Sequence, residues 1–199
     1  MVIGADQVKE LRERTGAGMM ECKKALEEAK GNVEAAIDLL RARGAAKAAK
    51  RGERETRQGV IGSYVHTDGK LGVLVEVQCE TDFVARNEVF KQLARDLAMH
   101  IAAKNPLALD AAGIPKEVVE RERAVYLEQV RNEGKPANIH EKIVDGKLRR
   151  FYQDNALLEQ VFVKAEDEKQ TVKQLVHEVA AKTGENIIVR RFVRFKLGE

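Results

Sequence analysis

A chain of 199 residues with 44% apolar content is long enough to bury a core and to form one or two domains of ordinary size. Its 35 basic and 32 acidic residues leave a formal charge of only +3, an excess too small for composition to indicate a general nucleic-acid binder. The absence of tryptophan and the 5% aromatic content point to a core of Leu, Ile, Val and Ala, which favours helices with a modest sheet.

Asp6 is placed to cap a short helix carrying Val8 and Leu11, which Thr15-Gly16-Ala17-Gly18 then breaks. Cys22, Ala25, Leu26 and Ala29 recur at helical spacing up to Gly31, and Asn32 is a cap for a third helix presenting Val33, Ala36, Ile37 and Leu40. None of these helices buries its stripe alone, so residues 1–44 are expected to form a three-helix bundle. Between Arg41 and Arg57 stand seven basic residues (Arg41, Arg43, Lys47, Lys50, Arg51, Arg54, Arg57) against Glu53 and Glu55. Residues 45–57 read as a basic, partly helical linker. A solvated connector is favoured over an RNA-touching arm, because the run holds no aromatic residue for stacking.

From Val60 the pattern becomes strand-like. Val60 to His66 and Leu71 to Val77 flank Thr67-Asp68-Gly69-Lys70, a hairpin signal. Asn87 is a cap for a helix with Phe90, Leu93, Ala94, Leu97, Ala98 and Ile101 on one stripe, ending before Asn105-Pro106. Pro115 suits the first turn of a helix closed by Asn132-Glu133-Gly134, and a shorter helical pattern follows from Ala137 to Val144. Leu148 to Gln170 is mixed, with Leu157, Leu158, Val161, Phe162 and Val163 as core anchors and Glu166-Asp167-Glu168-Lys169 as surface. Thr171 caps a helix of Val172, Leu175, Val176 and Val179 that Gly184 ends. In the last segment Val193, Phe195 and Leu197 alternate with Arg190, Arg194 and Lys196, the pattern of a half-buried antiparallel strand. The whole is expected to be α+β: a helical bundle, then a core domain over residues 58–199 with a small three-stranded antiparallel sheet packed with helices.

Signatures of chemistry are absent. Gly16-Ala17-Gly18 follows a helix and lacks the third glycine of a dinucleotide fingerprint, and no Gly-Lys-Ser/Thr phosphate loop occurs, so direct nucleotide binding is not expected. His66, His100, His140 and His177 are isolated positions on hairpin or helix surfaces, without the companions a metal or general-base site needs. Cys22 and Cys79 lack metal-ligand spacing; free thiols in a reducing cytoplasm are expected, with Cys22 a small core residue. Met1 to Asp6 has no basic segment leading into an apolar one, and no run approaches about 18 apolar residues, so neither secretion nor a membrane span is expected. The odd feature is Cys79-Glu80-Thr81-Asp82-Phe83-Val84-Ala85, where one strand has ended and the next helix has not clearly begun. Phe83 either tucks into its own domain or fills a pocket in a partner, and the residues alone leave both readings open.

Two long segments carry a family resemblance. Leu11 to Leu26, with Thr15-Gly16-Ala17-Gly18-Met19-Met20-Glu21-Cys22-Lys23-Lys24 at its centre, and Glu76 to Arg86, with Cys79-Glu80-Thr81-Asp82-Phe83-Val84, resemble in order the two signatures of the elongation factor Ts family. The likeness continues through Ile143-Val144-Asp145-Gly146-Lys147 to Arg191-Phe192-Val193-Arg194-Phe195 and so spans nearly the whole chain. Gln78 departs from the usual Asn beside the second signature. The resemblance implies a guanine-nucleotide exchange factor for elongation factor Tu in translation elongation, with no catalytic residues and no cofactor. It further implies an N-terminal bundle like a ubiquitin-associated domain, docking through Arg12, Met19, Met20 and Lys23. Thr81, Asp82, Phe83 and Val84 would displace the partner's magnesium ion. Adjacent methionines cannot both face one core, so one of Met19 and Met20 is expected to be free for an interface.

The competing reading is an RNA-binding translation accessory that uses the basic run. A homodimer is expected as well: longer family members place a second α/β subdomain where this chain passes from Asn105-Pro106 to Pro115 by a short loop, and a lone three-stranded sheet leaves unpaired edges and an under-covered face. A disulfide through Cys79 is not needed for that pairing.

Overall fold

The computed structural model describes residues 3–15, 17–165 and 169–199, the side chains of residue 41 and residues 45–49 excepted. Gly16 of the expected turn, the Arg41 and Lys47 side chains of the basic run, and Glu166 to Glu168 therefore lie outside the described residues. The chain forms two compact units, one reaching to Glu55 and including Ala180–Asn186, the other Thr56–Val179 with Ile187–Glu199.

The first unit holds α1 (Ala5–Thr15), α2 (Met19–Glu28) and α3 (Val33–Gly52). Asp6 sits in the first turn of α1 and not at its cap, where its charge still complements the helix N-terminus. Asn32 does cap α3, its side chain accepting from the Ala35 amide at 3.1 Å. Val8, Leu11, Cys22, Leu26, Ala36 and Ile37 meet in the middle as the core of three short amphipathic helices. Helix α3 runs on well past Leu40 to Gly52, and the Arg51 guanidinium donates to the Ala180 carbonyl at 2.6 Å.

In the second unit β1 (Gln58–Val65), β2 (Leu71–Cys79) and β3 (Ile188–Lys196) form an antiparallel sheet in the order β1-β2-β3. Gly69, at φ 68°, makes the turn that Asp68-Gly69 announces. The inner face of β2, Val73, Val75 and Val77, is buried beneath α5 (Glu88–Lys104). Gly62 permits that approach: a Cβ there would stand 2.5 Å from the Ala94 carbonyl oxygen. A five-residue helix, α4 (Asp82–Arg86), joins β2 to α5.

Helices α6 (Lys116–Asn132) and α7 (His140–Asn155) form a hairpin with a core of its own around Val130, Val144 and Leu148. The sequence expectation stopped the second of these near Val144. Pairing with α6 buries Val144 and Leu148, and this offsets the roughly 1 kcal/mol that Gly146 costs within a helix. Helix α8 (Val172–Thr183) starts at Thr171, whose hydroxyl accepts from the Gln174 amide at 3.2 Å.

Three expectations about burial are corrected. Val161 and Val163 are exposed: Val161 bridges to Thr171 through its backbone, Phe162 turns inward, and Val163 lies in a turn closed by the Ala165 amide on the Phe162 carbonyl at 3.0 Å. Val193, Phe195 and Leu197 are exposed, and Phe192 and Arg194 occupy the other face of β3. Alternation marks two faces of a strand without saying which one the helices cover. Third, His100 is buried and not on a helix surface. The Val163 amide donates to its Nδ1 at 3.1 Å, so Nε2 carries the proton and donates it to Gln160 Oε1 at 2.9 Å. Gln160 in turn donates to the Asp154 carbonyl at 2.7 Å.

Burial holds the His100 imidazole below its ordinary pKa, more than the opposing Gln160 hydrogen bond raises it, and Lys104 adds to the depression. A lowered folded value means that the neutral ring stabilises the fold fully above about pH 6.5, and that this contribution is lost as the pH falls from there through the folded value. Thermal unfolding between about pH 8 and pH 5 should therefore show a smaller loss of midpoint in His100→Gln than in the wild type. Equal losses would exclude His100 as the group responsible.

Candidate partner-binding site

Strand β2 ends at Cys79, whose thiol is buried and donates to the Thr81 carbonyl at 3.2 Å. Thr81 is extended (φ −124°, ψ 157°) and caps α4, its hydroxyl accepting from the Val84 amide at 3.4 Å. Within α4 the side chains divide sharply. Val84 and Ala85 are buried in the home domain, whereas Thr81 and Asp82 are exposed and Phe83 stands 79% exposed. Asp82 pairs with Arg86 at 3.0 Å, but both are open to solvent, where such a pair adds little stability. The two readings of Phe83 are thereby separated: its ring does not tuck back, and the domain forgoes about 1.5–3 kcal/mol of burial by leaving it in water. Val84 does the opposite and anchors the helix that carries the ring.

The other expected contact residues belong to the N-terminal unit. Arg12 on α1 and Lys23 on α2 are exposed, Lys23 lying 3.9 Å from Glu27. Met19 and Met20 open α2, and both are free of the core, at 46% and 66% exposure, where at least one was required to be. Each is a flexible apolar side chain suited to an adaptable contact.

A third exposed feature includes Val193 and Phe195, whose alternation reads in the sequence as the buried side of a half-buried strand. On the sheet face turned away from α5, Ile61, Val65, Leu74, Val193 and Phe195 are exposed, with Phe195 at 69%. An ion pair crossing that face joins Arg191 to Glu76 at 2.7 Å, and it holds the Glu76 carboxyl below its usual range. The signal in the sequence is the unbroken run Val73-Leu74-Val75, which puts apolar side chains on both faces of β2, where a strand with one wet face would alternate.

Among the described residues no group of three or more His, Cys, Asp or Glu side chains is placed to hold a metal ion, and no described helix is long and apolar enough to cross a membrane. The sequence profile described as "Elongation factor TS" matches residues 5–199. The chain belongs to the elongation factor Ts family. It is 56% identical over 199 residues to elongation factor Ts of Fervidobacterium nodosum, covering the full length of both. With elongation factor Ts of Nitratidesulfovibrio vulgaris it shares 55% identity over 198 residues, covering 100% of this chain and 98% of that relative. Elongation factor Ts of Thermosipho melanesiensis is likewise 55% identical over 198 residues. Family membership covers both units, since the matched span takes in α1 to α3 and the sheet together.

Phe83→Ala should shift urea unfolding by no more than about 0.5 kcal/mol, as befits a surface substitution. A loss above about 2 kcal/mol would mean that the ring is part of the home core.

Proposed function

We propose that this chain is a guanine-nucleotide exchange factor for elongation factor Tu, acting in the cytoplasm during translation elongation. It is a binding protein and not an enzyme, because release of GDP makes and breaks no covalent bond. The observation that carries the reading is Phe83, a large apolar ring presented to solvent on a short helix that Val84 and Ala85 anchor from beneath. Thr81, Asp82, Phe83 and Val84 form the element that disturbs the partner's magnesium and phosphate site. Magnesium demands near-octahedral ligands, so a small displacement of those ligands by a wedge weakens nucleotide binding strongly. Linkage supplies the rest: a factor that binds the nucleotide-free partner more tightly weakens nucleotide binding by the same factor.

In this reading residues 1–44 are a bundle of the ubiquitin-associated type, which grips the partner through Arg12, Met19, Met20 and Lys23. Residues 45–57 connect it to the core of residues 58–199. The basic run favours this reading over RNA binding, since Arg51 and Arg54 direct their guanidinium groups to the carbonyls of Ala180 and Gly184 at 2.6 Å and 3.5 Å. Fluorescent GDP bound to elongation factor Tu should be released much faster on addition of the wild-type chain. Phe83→Ala should lose most of that stimulation at saturation, whereas Met20→Ala should mainly raise the concentration needed. No acceleration by the wild type, with tRNA retained in filter binding, would favour the RNA-binding alternative instead.

The same reading includes a homodimer. The apolar outer face of Leu74, Val193 and Phe195 lies on a sheet of only three strands, and a second copy on that face would cover it with two-fold closure. Sedimentation equilibrium at low micromolar concentration with reductant should give twice the 22.2 kDa of one chain, and Phe195→Glu should return it to a folded monomer. A wild-type mass near that of one chain would refute the dimer.

A further inference from the structure

One residue is the boundary of two helices. Asn87 closes α4, its amide donating to the Val84 carbonyl at 2.9 Å, and opens α5, its side-chain oxygen accepting from the Val89 amide at 2.9 Å. Its own carbonyl accepts the first bond of α5, from the Lys91 amide at 3.0 Å. Between these helical neighbours its backbone is extended, at φ −65° and ψ 134°.

The consequence is rotational. Phe83 and Phe90 are seven positions apart, which is close to two turns at about 3.6 residues per turn. An unbroken helix from Asp82 to Lys104 would therefore point both rings the same way, Phe83 in line with Phe90 and Ala94 on the stripe that α5 buries. In the folded chain Phe90 is buried and Phe83 is exposed. Val84, in phase with the half-exposed Lys91, is buried instead. A single non-helical residue inverts the two faces.

The geometry points to Asn87 as a positioning residue that keeps α4 from fusing with α5 and so holds Phe83 outward. Its short carboxamide satisfies a donor that a continuing helix would have used, which is why such residues stop and start helices. Aspartate offers the same acceptor; alanine removes it and is the best helix former, so it favours fusion. The bearing on exchange rests on the function proposed above, but the rotation of the ring does not.

The chain has no tryptophan, so Phe83→Trp supplies a single indole at the position in question, excited selectively at the red edge where the tyrosines do not absorb. Adding Asn87→Ala to it should shift the emission to the blue and weaken acrylamide quenching, while adding Asn87→Asp should leave both as in the parent. Asn87→Gln, a helix former whose longer amide is a poor cap, serves as the second variant if Asn87→Ala does not fold. In the chain that keeps Phe83, Asn87→Ala should slow stimulated GDP release about tenfold or more, as for loss of a main contact, with Asn87→Asp restoring it. An indole as exposed in the Ala and Gln variants as in the parent overturns the positioning role. A buried indole with exchange unchanged upholds that role and refutes the exchange reading of Phe83.

Discussion

Helix α5 lies on the β1–β2 hairpin at a separation that Gly62 alone makes possible, with the Ala94 carbonyl 2.5 Å from where a Cβ would stand. Gly62 is opposite Val75 in the ladder, so the close approach seals the middle of the buried valine row on β2 beneath the helix. Interiors tolerate few voids, and a helix held this tightly has little freedom to slide along the sheet. The end of β2 at Cys79 and the start of α5 at Glu88 are therefore set relative to one another. Only Glu80 to Asn87 lie between them.

That short span explains how a phenylalanine comes to be left in water. Both ends of the connection are tied, by the Cys79 thiol on the Thr81 carbonyl and by Asn87 at the α4–α5 joint. Burying Val84 and Ala85 stabilises α4, a helix too short to persist alone. With those two side chains committed inward, the neighbouring Phe83 has no route to the core. The exposure of the ring is thus a product of well-satisfied surroundings and not of a loose loop, which suits a surface that meets a partner already shaped.

Apolar exposure elsewhere follows a different logic. On the outer face of the sheet the apolar side chains come from all three strands, and the Arg191–Glu76 pair lies among them. Isolated exposed hydrophobes are ordinary, but a contiguous set on a regular surface is the form that interfaces take. Among the described residues no group of three or more His, Cys, Asp or Glu side chains is placed to hold a metal ion. The buried histidine fits the same picture: its partners are Gln160 and a backbone amide, and it fastens the segment around Phe162 to α5 without facing solvent.

Local signals were enough for much of the fold. Asn32, Asn87 and Thr171 cap the helices their side chains promised, because a cap needs only an acceptor within a few residues of the orphan amide. Asp68-Gly69 made the hairpin, since a left-handed turn depends on the residue that occupies it. The two signature segments identified the family, and the second of them marked out Phe83. What the sequence could not supply was the choice between faces. Val193, Phe195 and Leu197 have the spacing of core residues and lie outside; His100 has the composition of a surface position and lies inside. The length of α7 likewise depended on α6 lying alongside it. Periodicity states that a strand or helix has two sides, but which side is dry depends on what packs there. That is decided by residues distant in the chain, and only the tertiary structure brings them together.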